Sequence, residues 1–211
     1  MNLEKLLGKE IDESKQGDAL SIPTSDKSTK KMYLESYGCQ MNFSDSEIAL
    51  AAETGSAIVH CPTSNLFMGS GLFQFERLKN SGVSLAFGTD IAGGTSLSPF
   101  ATMKSAYEIS QLQGYSISPE EAFYTATLGG AKAMHLDDRI GRIAIGYEAD
   151  LVVIDLKSTP MIENRTNRAD NLGDLLFAQI VLADDRAIRA TYAAGNLVYD
   201  RKVLLDNPIK G

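Results

Sequence analysis

A carboxylate on a glycine-rich turn is the group in this chain best suited to chemistry. Asp90 stands in Leu85–Gly94, LAFGTDIAGG, where the apolar residues Val83, Leu85, Ala86 and Phe87 lead into Gly88-Thr89-Asp90 and then Gly93-Gly94. A short buried strand that ends in a carboxylate presents it at the strand's carboxyl end, where the chemistry of α/β barrels sits. The glycines let the backbone turn sharply without a Cβ penalty. Three other polar residues have types that could contribute. His60 ends the apolar run Ser56-Ala57-Ile58-Val59, and Asn65 follows it in Cys61-Pro62-Thr63-Ser64-Asn65. Cys39 lies in Gly38-Cys39-Gln40-Met41-Asn42. The chain has 2 histidines, His60 and His135, and 2 cysteines, Cys39 and Cys61. Neither type forms a pair at metal-ligand spacing, so no CxxC-type site exists.

The elements that must position these residues follow from patterning. Residues 1–31 are polar, with a short helix expected over Leu3–Leu7. Met32–Gly38 alternates as a strand and ends at the Cys39 turn, and Ser44-Asp45-Ser46-Glu47 opens a helix with acidic residues at its positive end. Gly55 breaks that helix. A short strand runs to His60, Pro62 stops it, and Ser64 and Asn65 read as turn formers. Phe73–Asn80 has helical apolar spacing, and Val83–Phe87 is the next strand. Strand, loop, helix, strand is a βαβ unit, hence a parallel pair with a right-handed crossover.

Two helices then open on the same signal, Ser98-Pro99 and Ser118-Pro119-Glu120-Glu121, an N-cap followed by proline. The second runs to Gly129-Gly130, and Ala131–Met134 adds a further turn ending near His135. Arg142–Ile145, between Gly141 and Gly146, is strand-like, and Leu151–Asp155 is a clear strand. Thr159–Asn171 reads as a polar loop and Asn171–Ala183 as a helix. Ile188–Ala193 and Asn196–Tyr199 form a hairpin around Ala194-Gly195.

Composition narrows the partners. The 211 residues are 44% hydrophobic and 22% charged, an ordinary globular balance. A net charge of −7 argues against a nucleic-acid or membrane-surface binder. No apolar run approaches the ~18 residues of a membrane span. The amino-terminal residues lack the apolar core and small-residue cleavage site of a signal peptide, so a cytoplasmic location with reduced thiols is expected.

Two resemblances attach to particular segments. YLESYGCQMNFSDSEI resembles the opening of the radical-SAM tRNA methylthiotransferases, in which the CQMN cysteine is one of several holding an auxiliary iron–sulfur cluster. That role carries over to Cys39 alone, and a cluster needs several thiolates. From about Ala49 to Lys202 the chain resembles the C-terminal part of the amidohydrolase superfamily, nearest the guanine deaminases. HCPTSNLFMGSG and FGTDIAGG match the turns after the final pair of barrel strands, TATLGGAKAMHLDDRIGRIAIGYEADLVVID the exit into a small β-domain, and DDRAIRATYAAGNLVYDR the closing hairpin.

The second resemblance implies an α/β fold: a partial (β/α)8 barrel, last strands and helices only, plus part of a small β-domain. The divisions would be residues 1–48 (methylthiotransferase-like), 49–140 (barrel part) and 141–211 (β-domain part and tail). It implies that Asp90 is a metal ligand and catalytic proton acceptor, that His60 and Asn65 lie near a purine pocket, and that the cofactor is zinc or iron. The implied reaction is hydrolytic deamination of guanine, by water that a metal ion acidifies. The His-x-His pair and the later histidines that hold this metal are missing. His60 and His135 also read as packing or surface residues, because a catalytic zinc site takes about three protein ligands. The expectation is a chain inactive alone, self-associating or completed by a second chain. The alternative is a non-catalytic purine-binding or scaffold remnant, and after it a tRNA methylthiotransferase-related iron–sulfur protein.

Overall fold

The first described helix opens with Asp45 and Glu47, whose charges face the positive end of its dipole. The structure is a computed structural model that describes residues 45–202. The expected Leu3–Leu7 helix, the Met32–Gly38 strand and the Cys39 turn all lie outside the described residues. Helix α1 spans Asp45–Thr54 and ends at Gly55, which takes a positive φ of 66°. Strand β1, Ala57–His60, follows, then helix α2, Pro62–Met68. Here the structure corrects the reading of Pro62 to Asn65 as a strand stop and turn. Pro62 occupies the first position of a helix, where its missing N–H is no loss and its fixed φ suits the helix. Helix α3 is Phe75–Asn80, shorter than the expected Phe73–Asn80, and Phe73 sits just before it, fully buried.

Strand β2, Ser84–Phe87, pairs with β1 in parallel, Ile58 opposite Leu85 and His60 opposite Phe87. The pairing is the expected βαβ unit. Side chains alternate across a strand, so the sheet has two different faces. Ile58, Leu85 and Phe87 join the main core with Phe73, Phe75, Leu78, Phe100 and Met103. On the other face Ala57 and Ala86 pack against Ala133. Among the described residues β1 and β2 pair only with each other, so no closed barrel is formed by them.

Helix α4, Pro99–Leu112, and helix α5, Pro119–Tyr124, both begin with proline after serine. Ser118 makes a full capping box with Glu121, whereas the Ser98 side chain caps nothing. Helix α5 passes through a π-helical turn, Thr125–Gly129, into α6, Gly130–Ala133. A Cβ at Gly129 would lie 2.9 Å from the Leu85 carbonyl oxygen, so this turn rests directly on β2.

A second sheet is antiparallel in the order β3-β4-β5: Leu151–Ile154, Ile188–Ala193 and Asn196–Asp200. Ala194 and Gly195 both take positive φ, as a tight hairpin turn requires. Between β3 and β4 lie helices α7, Pro160–Thr166, and α8, Leu172–Leu182. The first corrects the expected loop: the Thr159 hydroxyl accepts from the Ile162 amide and caps a helix that proline opens. Arg142–Ile145 is not a strand. No described strand lies beside it, and Ile143 and Ile145 are exposed to solvent. No helix among the described residues is long and apolar enough to cross a membrane.

Phe73 ties β1 to the helices: its ring stacks on His60 at 4.0 Å and meets Phe75 at 6.4 Å. Phe73→Ala should lower unfolding free energy by about 3–5 kcal/mol, as truncation of a buried aromatic does. Phe67→Ala, on an exposed side chain, should change it by less than about 0.5 kcal/mol. Urea unfolding followed by circular dichroism measures both.

Candidate functional site

Sheet geometry puts the ends of β1 and β2 side by side, and the Gly88 amide donates to the His60 carbonyl at 3.0 Å, carrying the pairing one residue further. Beyond this point the two chains diverge into α2 and into the Gly88–Gly94 turn. The site forms between them. The Ser64 hydroxyl, on α2, donates to Oδ2 of Asp90 at 2.6 Å. Ser64 is buried, and a hydrogen bond to a charged acceptor there contributes about 1.5–3 kcal/mol.

The turn is shaped to hold Asp90 against Ser64. Asp90 takes a positive φ of 44°, a region aspartate enters more readily than most residues. Its carbonyl accepts from the amides of Gly93 and Gly94. A Cβ at Gly93 would come within 2.7 Å of Ser64 Oγ and 3.3 Å of Asp90 Oδ2, and one at Gly94 would overlap the Thr89 carbonyl oxygen. The second glycine pair therefore makes room for the Ser64–Asp90 contact and the turn around it.

His60 is placed differently. It is 1% exposed, stacked on Phe73 with the rings 7° from parallel and tilted against Phe87 at 6.0 Å. Neither ring nitrogen has a hydrogen-bond partner. Burial in this apolar setting pushes its pKa down from 6.5 to about 3, because nothing nearby compensates the charged form. The Asn65 Oδ1 and Thr63 Oγ1 atoms are also buried without partners, and Thr63 Oγ1 would lie 3.1 Å from a Cβ at Gly94. Of the residues singled out from sequence, the structure joins Asp90 to the α2 segment that contains Asn65. It keeps His60 stacked among aromatic rings, without a hydrogen bond to Asp90. His135, with φ 57°, ends the turn after α6. Cys39 lies outside the described residues.

Ser64 is the partner that sequence reading passed over. Its signal was present: once Pro62 is taken as a helix start, Ser64 lies inside a helix that begins where β1 ends, alongside the end of β2.

A metal ion does not fit this donor set. Among the described residues no three His, Cys, Asp or Glu side chains cluster, and the one carboxylate present already accepts from Ser64. About three protein ligands are needed for catalytic zinc, so no step through a metal follows from these residues alone.

The amidohydrolase family model matches residues 30–198, and the chain belongs to that family. Its relatives narrow the likeness. It is 48% identical over 150 residues to guanine deaminase of Escherichia coli (strain K12), covering 71% of this chain and 34% of that one. The E. coli enzyme's structure superposes with a TM-score of 0.75 at 45% identity, over 76% of this chain and 38% of that chain. Guanine deaminase from C. acetobutylicum with bound guanine matches with a TM-score of 0.65 at 31% identity, again over 76% and 38%. An adenosine deaminase from Xanthomonas campestris with bound zinc matches at 0.63 and 30%, over 78% and 38%. The chain thus spans about a third of the length of the curated relatives it matches.

Two measurements test the geometry. A double-mutant cycle on Ser64→Ala and Asp90→Asn should give a coupling of about 1.5–3 kcal/mol in urea unfolding; additive effects would mean the two side chains do not meet. His60 sets a pH dependence. The folded state holds it neutral down to about pH 3, while the unfolded chain binds its proton near pH 6.5. Its contribution is therefore complete above pH 6.5 and falls as pH drops from there toward 3, by up to about 1.4 kcal/mol per pH unit. His60→Phe keeps a ring in the stack and should remove that slope.

Proposed function

We propose that this chain carries the Asp90 part of a guanine-deaminase-type site and is inactive alone. The observation that carries the reading is the Ser64–Asp90 pair at the ends of two parallel strands, in a chain of the amidohydrolase family. Asp90 is the group placed to accept a proton, and Ser64 fixes which carboxylate oxygen is already occupied. Asn65 and His60 belong to the adjoining wall of the purine pocket, and the barrel part runs over residues 49–140 with the β-domain part over 141–211. Zinc, bound in one solved relative, or iron is the cofactor of this reading, and no cluster of three His, Cys, Asp or Glu side chains to hold it occurs among the described residues. The chain has 2 histidines, of which His60 is buried among aromatic rings and His135 lies exposed after α6, so further imidazole ligands would have to come from elsewhere. For the amino-terminal residues 1–48, a methylthiotransferase-like origin rests on the CQMN segment around Cys39 alone. A cytoplasmic location fits hydrolysis of a free purine.

A second reading has its own support. The unpartnered Thr63 Oγ1 atom beside the Asp90 turn and the unpartnered Asn65 Oδ1 atom on α2 are what a bound purine or ordered water would satisfy, and this reading is binding without turnover.

Ammonia release from guanine, with and without added zinc, separates the two from an intact enzyme. The purified chain should release none above the rate of buffer. If guanine binds without turnover, titration calorimetry should show heat that Asn65→Ala weakens. Zinc-dependent ammonia release by the chain alone would overturn the proposal.

A further inference from the structure

At the amino end of β2, away from Asp90, a cavity of about 660 Å³ lies between α3, the start of β2 and the helical run from α5 to α6. The strand from Ser84 to Phe87 puts about 10 Å between this cavity and the turn that holds Asp90. The volume is in the range that takes a small molecule, roughly 300–1,000 Å³. Phe75 and Val83, both buried, and Leu85 make part of the lining apolar. Tyr124, which is 45% exposed, adds a second aromatic ring, and Ser84 adds a hydroxyl.

The charges on the lining are balanced and engaged. Lys79 and Lys132 stand against Glu120 and Glu121. Lys79 forms an ion pair with Glu121 and donates to the Tyr115 hydroxyl at 3.0 Å. That hydroxyl lies 2.9 Å from both Glu121 oxygens and donates to the carboxylate. Glu121 first, and Tyr115 after it, keep the Lys79 ammonium charged well above its ordinary range. The Lys132 ammonium sits 5.5 Å from the centre of the Tyr124 ring, a cation–π contact. The Glu120 carboxylate lies at the first turn of α8, where its Oε1 would be 2.9 Å from a Cβ at Gly173. A helix dipole is positive at that end. A charged ligand would therefore meet no unengaged opposite charge, and burying a charge without a partner is costly.

We propose that this cavity binds an uncharged, flat aromatic or heteroaromatic molecule. The rings of Phe75 and Tyr124 supply stacking and edge contacts for such a ligand, and the balanced charges disfavour cations and anions alike. Binding here needs neither Asp90 nor a metal ion.

Indole is the probe. The chain has no tryptophan, so indole fluorescence reports on the ligand alone. Titration of the full chain should saturate at a single indole per chain, and amide NMR spectra should shift at Val83, Ser84 and Gly129. Indole-3-acetate and tryptamine, an anion and a cation, should each bind at least about tenfold more weakly, a difference of about 1.4 kcal/mol. Tyr124→Ala should weaken indole by a similar factor, whereas Phe67→Ala, on an exposed ring elsewhere in the sequence, should not. Thermal unfolding checks that each variant is folded. Lys132→Glu changes an exposed side chain, leaves the lining net negative and should move the preference toward tryptamine over indole-3-acetate. No saturable binding, shifts confined to residues outside the cavity, or an affinity indifferent to Tyr124→Ala in a folded variant would overturn the proposal. So would charged relatives that bind as tightly as indole, or a Lys132→Glu chain with an unchanged preference between them.

Discussion

The hydrogen bond from Ser64 to Asp90 depends on three separate features of the fold. Strand β1 must stop at His60 so that α2 can start at Pro62 and bring Ser64 to the sheet's end. Strand β2 must run in parallel beside it so that its own exit lies against α2. The backbone after Phe87 must then turn back tightly enough that Asp90 takes positive φ and Gly93 passes under the contact. If any of these is lost, the carboxylate is an ordinary surface aspartate. A carboxylate held in one orientation differs from a mobile one because the entropy of placing it is spent in folding and not at the moment of reaction.

The two faces of the β1–β2 sheet divide the labour. One face, with Ile58, Leu85 and Phe87, is covered by the rings of Phe73 and Phe75 and by α4, and this is where most of the burial lies. His60 belongs to this side, which explains how a histidine two residues before the start of α2 is buried among rings and held neutral. The other face has small residues, Ala57 and Ala86, closed off by Ala133 of α6. Toward the carboxyl end that cover gives out and Val59 is exposed.

Much of this was legible in sequence where local rules decide. Ser118-Pro119 with Glu121 forms the capping box it spells, Asn171 caps α8, and the Ala194-Gly195 turn joins the expected hairpin. The same rules decide two places where composition points the other way. Thr159-Pro160 carries the start signal of Ser98-Pro99 and Ser118-Pro119 and opens a helix despite the polar residues around it. Pro62 both ends a strand and begins a helix. Arg142–Ile145 alternates like a strand, but a strand needs a neighbour to pair with, and none is described there. Asp90 was found because its turn is marked by glycines. Its bond to Ser64 spans 26 residues, and only the parallel register makes it.

The described residues hold one buried-strand-end carboxylate, its hydroxyl partner and no cluster of three metal-ligating side chains. Metal content of the purified full chain, measured by mass spectrometry after incubation with excess zinc and desalting, tests this most directly. The account predicts far less than one equivalent, and no difference between the wild type and Asp90→Asn. About one zinc per chain, lost in Asp90→Asn, would contradict it, because a site of about three protein ligands would then be complete within this sequence.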